Sequence, residues 1–346
     1  MTYNVVLIVP TGIGAAIGGY AGDALPIART MAQVCDRLIT HPNVMNGAQL
    51  YWPIANALYV EGYGLDQFAQ GNWGLQPIQP NRVGLILDQG IEDDLRLRHL
   101  QVADATRATL GLNLTDYVIT DAPLNVELRI TESGTSWGTI GNPGSLLRAA
   151  ETLIQQAQAT AIAVIARFPD DVDSVILTSY RQGKGVDPLS GAEAVISHLI
   201  VRQFQIPTAH APALSPLPLD SSISPRSAAE EIGYTFLPCV LVGLSRAPQF
   251  VAQPTIDSLW ANQVNALVIP ASAAGGSATL NFSQQNCLII AVEENHTVLQ
   301  VPPESLGIKA IRVNSYLEAL GVLIAHRAGI NLESFRPNLS SLRPIS

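Results

Sequence analysis

The chain is 346 residues long, 47% hydrophobic and only 14% charged. A chain of that length buries a large core and suits one big α/β domain or two lobes, while so little charge to cover the outside predicts a homo-oligomer. A net charge of −9, a pI near 5.1 and lysine only at Lys184 and Lys309 exclude a general nucleic-acid surface, which needs clustered Lys and Arg.

No apolar run approaches the ~20 residues of a membrane-spanning helix; Phe236 to Leu244 is short and contains Pro238. Met1-Thr2-Tyr3-Asn4 leads directly into an apolar run with no basic or cleavable segment before it, which predicts a cytoplasmic protein. Cys35, Cys239 and Cys287 are odd in number and widely spaced, so they form neither a disulfide framework nor a Cys-x-x-Cys motif.

Val5-Val6-Leu7-Ile8-Val9 reads as a strand buried on both faces. It runs into a glycine-rich loop, and in a parallel sheet such a strand delivers its loop to the carboxyl edge, where backbone N–H groups approach a ligand. Thr11, Gly12, Gly14, Gly18 and Gly19 are accordingly predicted to hold a cofactor or another polar small molecule. Asp23 caps a predicted helix from Ala24 to about Leu38, with Pro26 in its first turn. The polar loop from Thr40 to Gly47 follows, then an aromatic stretch from Tyr51 to Trp73 with no helical or strand period, a kind of segment that often carries function.

Val83 to Asp88 is a second strand, Glu92 to Leu110 a helix stopped by Gly111, and Tyr117 to Asp121 a third strand with an acidic tip. Asn142-Pro143-Gly144-Ser145 opens a helix to about Gln158, and Ala161 to Ala166 is a fourth strand. This alternation predicts a three-layer α/β fold around a mostly parallel sheet. The rhythm breaks between Phe168 and Pro188, which contain a strand-like Val175-Ile176-Leu177, and the boundary between lobes of residues 1–180 and 181–346 is placed there. Beyond it, Gly191 to Gln203 is helical, the proline-rich Pro207 to Pro225 reads as a loop, and Ala228 to Leu244 is a helix interrupted near Pro238. Ala266 to Pro270 leads into a second small-residue loop, in which Gly275, Gly276 and Ser277 form a candidate phosphate nest. Cys287 to Val292, Ala310 to Val313 and a helix from Tyr316 to His326 close the fold.

Gly12-x-Gly14-x-x-x-Gly18 resembles the dinucleotide fingerprint and the glycine motif of short-chain dehydrogenases, but Gly18, Gly19 and Gly22 would break a helix begun at Gly14. Tyr180 and Lys184 have the dehydrogenase Tyr-x-x-x-Lys spacing, with the lysine set between Gly183 and Gly185. A tight turn with no ligand is the competing reading of the first loop. Gly183-Lys184 is no ordinary P-loop, because Thr178 replaces its first glycine and Gly185 its Ser or Thr. Lys184 instead reads as a mobile cation that closes over an acidic substrate, or as a solvated surface lysine.

Asn43, Asn46 and Asp187 are further candidate substrate-binding residues, although Asp187 also suits a helix cap. Among the six histidines, none joins a metal-ligand pattern, and no metal site is predicted. His198, on an apolar helix face, reads as a hydrogen-bonded core imidazole. His41 and His210, each in a proline-fixed loop, are the candidate acid and base. Asp121 and Glu293, at the carboxyl ends of strands, are the candidate catalytic carboxylates.

At Val9-Pro10-Thr11-Gly12-Ile13-Gly14, Thr40-His41-Pro42-Asn43, Tyr51-Trp52-Pro53, Gly185-Val186-Asp187-Pro188 and Ala209-His210-Ala211-Pro212, the chain resembles an uncharacterised family of cyanobacteria and plastids, a domain of unknown function. That resemblance implies a cyanobacterial cytoplasm or a plastid stroma, and no activity. Asn142-Pro143-Gly144-Ser145-Leu146-Leu147-Arg148 and the Asp187-Pro188 helix bear a fainter similarity to the nicotinate-nucleotide phosphoribosyltransferases of cobamide assembly. The residues thus favour an enzyme acting on a small anionic or nucleotide-like metabolite, its cofactor unassigned, with a non-catalytic ligand-binding or assembly protein as the alternative. A nicotinamide-dependent oxidoreductase and a phosphoribosyltransferase-like enzyme are further alternatives.

Overall fold

The computed structural model describes residues 2–47, 54–78, 80–132, 134–170, 174–231 and 236–345; Tyr51-Trp52-Pro53 and Asp171 lie outside them. The opening apolar run becomes β1 (Asn4–Leu7), buried at every residue. In chain order it is followed by β2 (Arg37–Thr40), β3 (Ala57–Tyr59), β4 (Gly74–Gln76), β5 (Val83–Leu87), β6 (Leu114–Ile119), β7 (Val126–Ile130), β8 (Ser136–Ile140), β9 (Ala161–Arg167) and β10 (Thr208–Ala213). The last strands are β11 (Gln249–Val251), β12 (Val264–Pro270), β13 (Leu288–Val292) and β14 (Ile311–Val313).

Two parallel sheets result. One has six strands in the order β14-β13-β12-β1-β2-β3, and the other has four in the order β10-β9-β5-β6. The first sheet takes its strands from both ends of the chain, the second from the middle. β9 and β10, which flank the lobe boundary expected at 180/181, pair with each other.

Side chains alternate across each strand, so both faces of both sheets need cover. In the six-stranded sheet, Val5 and Leu7 pack with Met31 and Leu323 of the helices Leu25–Ala32 and Tyr316–Arg327. Val6 points the other way, toward Phe68 and Phe282 of Gly62–Ala69 and Ser277–Ser283. In the four-stranded sheet, Leu85 and Leu87 meet Leu95 and Leu241 of Asp93–Leu110 and Phe236–Ser245. Ile86 meets Leu146 and Ile196 of Pro143–Ala157 and Ser190–Phe204. Each sheet is thus the middle of a three-layer α/β stack, as the alternation of elements implies. Among the described residues no helix is long and apolar enough to cross a membrane.

Several elements differ from expectation. The helix after Asp23 stops at Ala32, because Asn56 Nδ2 donates to the carbonyls of Ala32 and Cys35 and frees Arg37–Thr40 to become β2. Val175-Ile176-Leu177 is helical, inside Ser174–Arg181. Part of the proline-rich loop is β10, and Pro212 is tolerated because β10 is an edge strand. The antiparallel hairpin β7–β8 was not foreseen.

Candidate functional site

The carboxyl ends of both sheets open onto one cavity of about 550 Å³, a size that suits a small organic molecule. Thr11 follows β1, His41 and Asn43 follow β2, Glu61 follows β3, and Gly276 and Ser277 follow β12 on one wall. Asp170 after β9, His210 within β10 and Leu214 after β10 contribute the other. The helix Ser190–Phe204 crosses between them. Glu193 with Ser197, and Ala194 with His198, are each four residues apart, so two neighbouring rows of one helix face line the cavity.

His198 is the best placed titratable group. Its Nε2 lies 2.8 Å from Glu61 Oε1, and its side chain is 42% exposed while that of Glu61 is 5% exposed. Glu61 is fixed by a second task, since its Oε2 caps the helix Gly62–Ala69 by accepting from Gly64 N at 3.1 Å. Burial works against the imidazolium, but the hydrogen bond to Glu61 and the charges of Glu61 and Asp66 outweigh it, so the pKa of His198 is raised. Gly62 makes room for the ring: a Cβ there would stand 3.1 Å from His198 Nε2.

His210 is held differently. Its Nδ1 is 2.6 Å from the buried Ser197 hydroxyl, and its Nε2 is 3.6 Å from Glu193 Oε2, beyond hydrogen-bonding distance. His41 Nε2 accepts from Val9 N at 3.1 Å, which puts the proton of the neutral ring on Nδ1. Burial pushes its pKa down to about 4. Burial thus favours the neutral His41 ring, with Nε2 fixed as an acceptor.

Carboxylates crowd the remaining wall. Asp187 Oδ1 accepts from Leu189 N at 2.8 Å, as a turn into the helix Ser190–Phe204. Burial, with the charges of Glu193 and Glu230 adding to it, raises the Asp187 pKa well above the ordinary range. Glu230 Oε1 accepts from Ala21 N at 2.7 Å, the Tyr180 hydroxyl also bonds to it, and burial raises its pKa to about 7. Arg181 is occupied by Glu231 through contacts of 2.9 and 3.0 Å.

The cavity thus gathers His41, His210, Thr11, Asn43, Asn46, Asp187, Gly276 and Ser277 of the residues singled out in the sequence. The others lie elsewhere. A Cβ on Gly12, Gly14, Gly18 or Gly19 would strike Ser190, Gly185, Val9 or Ala15, so these glycines allow close packing, and none of them lines the cavity. Gly275 abuts Val301, and Lys184 is exposed away from the cavity. Asp121 is an exposed surface carboxylate held by Arg148 at 2.7 Å and by the Ser145 hydroxyl, and those hydrogen bonds drop its pKa to about 2. Glu293 pairs with Arg312, which Glu304 also grips, outside the cavity.

Glu61, His198, Glu193 and Glu230 were missed. For His198 a signal existed, since Glu193, Ser197 and His198 form a polar strip on an otherwise apolar helix. Glu230 left none. Among the described residues no cluster of three or more His, Cys, Asp or Glu is arranged to hold a metal ion.

A cavity of this size at the carboxyl edges of two parallel sheets defines an α/β protein built around a small-molecule-sized pocket. The chain belongs to the DUF3326 family, described as "Protein of unknown function", which matches residues 4–336. It is similar to an uncharacterised lipoprotein of Synechococcus sp. (strain ATCC 27144 / PCC 6301 / SAUG 1402/1), with 59% identity over 334 residues that make up 96% of this chain and 93% of the relative. The cytoplasmic location expected from the first residues is overturned by that relative, which is called a lipoprotein. No solved structure matches the chain significantly.

Proposed function

We propose that the protein is an enzyme that moves a proton on a small molecule held in this cavity, with His198 and Glu61 as its acid–base couple. The observation that carries the reading is the 2.8 Å contact between a half-exposed imidazole and a buried carboxylate on the cavity wall. Glu61 fixes the ring through Nε2 and favours its protonated form, leaving Nδ1–H to give a proton to a ligand atom and take one back. His41, neutral and oriented by Val9 N, offers a second donor that positions the ligand. The name of the Synechococcus relative supports a working position at a membrane surface, which cell fractionation with an antibody to this chain checks.

The couple is tested first by NMR titration of the His198 ring. Its pKa should lie above 6.5 and should fall in Glu61→Gln; a value at or below 6.5 in the unaltered protein removes His198 as the acid. Once a metabolite retained through purification identifies a substrate, His198→Gln should cut turnover by roughly 10²–10⁴-fold while leaving ligand-induced stabilisation in place.

A further inference from the structure

The cavity wall is unevenly charged. Asp187, Glu193 and Glu230 converge on it from the start of the helix Ser190–Phe204 and from the short helix Ala228–Glu231. The charge of Glu193 raises the proton affinity of Asp187 and of Glu230, and that of Glu230 raises the proton affinity of Asp187. The cations around them are committed elsewhere or only loosely paired: Arg181 on the wall is bound to Glu231, Arg226 is paired with Asp23 at 3.1 Å, His198 is bound to Glu61, and His210 Nε2 stands 3.6 Å from Glu193 Oε2. A second and independent feature points to a ligand. His41 is only 8% exposed, its Nε2 is used by Val9 N, and its Nδ1–H meets no acceptor among the described residues although the ring lines the cavity. On so nearly buried a side chain, a donor that the protein leaves unpartnered is placed to give its hydrogen bond to an acceptor atom on something bound.

We infer that the cavity takes an organic cation, a small molecule whose amine or amidine nitrogen sits against Asp187, Glu193 and Glu230 and whose carbonyl or hydroxyl oxygen accepts from His41. The inference rests on the cavity being the active site, and it replaces the anionic ligand suggested by the glycine loops. An anion would meet a wall of carboxylates whose lining arginine, Arg181, is already bound to Glu231. A cation meets charges that are already desolvated and oriented, so its binding is selective as well as favourable.

The test is thermal unfolding of the intact chain at pH 8 with millimolar agmatine, histamine or putrescine, against inorganic phosphate and citrate. At least one amine should raise the midpoint by about 3 °C or more, and phosphate and citrate should not. The double variant Asp187→Asn/Glu230→Gln should lose that shift. It removes unpaired buried charge and keeps side-chain shape, so it is expected to fold; should it not, Glu193→Gln provides the same comparison. The inference fails if no amine shifts the midpoint, or if the shift survives in the charge variant or in Ala194→Trp, which fills the cavity. A phosphate shift that Ala194→Trp abolishes would overturn the cation while keeping the cavity as a ligand site. The acid–base reading falls separately, on the His198 titration.

Discussion

His41 shows how burial and one backbone hydrogen bond set the charge state of a side chain on the cavity wall. Val9 N donates to its Nε2, and burial takes its pKa from 6.5 to about 4. Between those values the unfolded chain binds the extra proton, so stability falls as pH drops from 6.5 toward 4, by roughly 3 kcal/mol in all at about 1.4 kcal/mol per unit. His41→Gln keeps an acceptor for Val9 N and removes the titration. Its urea-unfolding free energy should therefore lose about 3 kcal/mol less than that of the unaltered protein between pH 6.5 and 4, and an equal loss would assign the effect to other groups. Glu230 works in the opposite sense. Its pKa is raised by burial from 4.5 to about 7, so the folded state holds the proton, and stability is fully present below 4.5 and lost as pH rises through 7. Glu230→Gln should be more stable than the unaltered protein at pH 8, by about 1–3 kcal/mol, with the gain shrinking toward pH 5. A variant destabilised at pH 8 would show that the carboxylate is paired after all.

At the scale of elements, the strands that were legible share one cause. β1, β5, β9, β12 and β13 lie inside parallel sheets, are buried on both faces, and so appear as unbroken aliphatic runs. β2 is only Arg37-Leu38-Ile39-Thr40, and the signal separating it from the preceding helix is Asn56, which the chain brings in from beyond the next loop. The hairpin β7–β8 mixes charged and exposed residues, and the Ser133-Gly134 dipeptide between its strands is the one local signal that marks it. The site was half legible for a similar reason. Loops after buried strands place His41, Asn43 and Thr11 at the edge of a sheet, but which face of the helix Ser190–Phe204 meets a cavity depends on packing between layers, and that choice hid His198.

The glycines of the loop after β1, read from the sequence as a ligand cradle, are closely packed against their neighbours. Gly22 has φ of +79°, and a Cβ there would lie 1.8 Å from the Asn46 carbonyl oxygen, in the segment that follows His41. Gly22→Ala should thus cost about 3 kcal/mol or more and displace that segment. A midpoint within a degree or so of the unaltered protein would mean that the two loops part easily.

The whole molecule is held as one by the way its middle segment is clasped. The chain leaves the six-stranded sheet after β3, passes through β4, builds the four-stranded sheet, and returns through β11, which pairs with β4. Where it departs and where it returns, Asn81 ties the two passages together. Its side chain is fully buried, and Nδ2 donates to the Leu244 and Ala247 carbonyls at 2.8 Å each. Oδ1 accepts from Gln249 Nε2 at 2.8 Å and from the Thr160 hydroxyl at 3.2 Å. Leucine has nearly the same volume and none of these bonds, so Asn81→Leu strands two carbonyls and an amide in the interior. That substitution should cost about 3 kcal/mol or more. It should also loosen the coupling between sheets that share the cavity. In the unaltered protein the amides of β1 and β9 should exchange hydrogen through one common opening, and in Asn81→Leu their opening free energies should separate by more than about 1 kcal/mol. If they fall together instead, the helices that pack between the sheets, and not the clasp, make the fold cooperative.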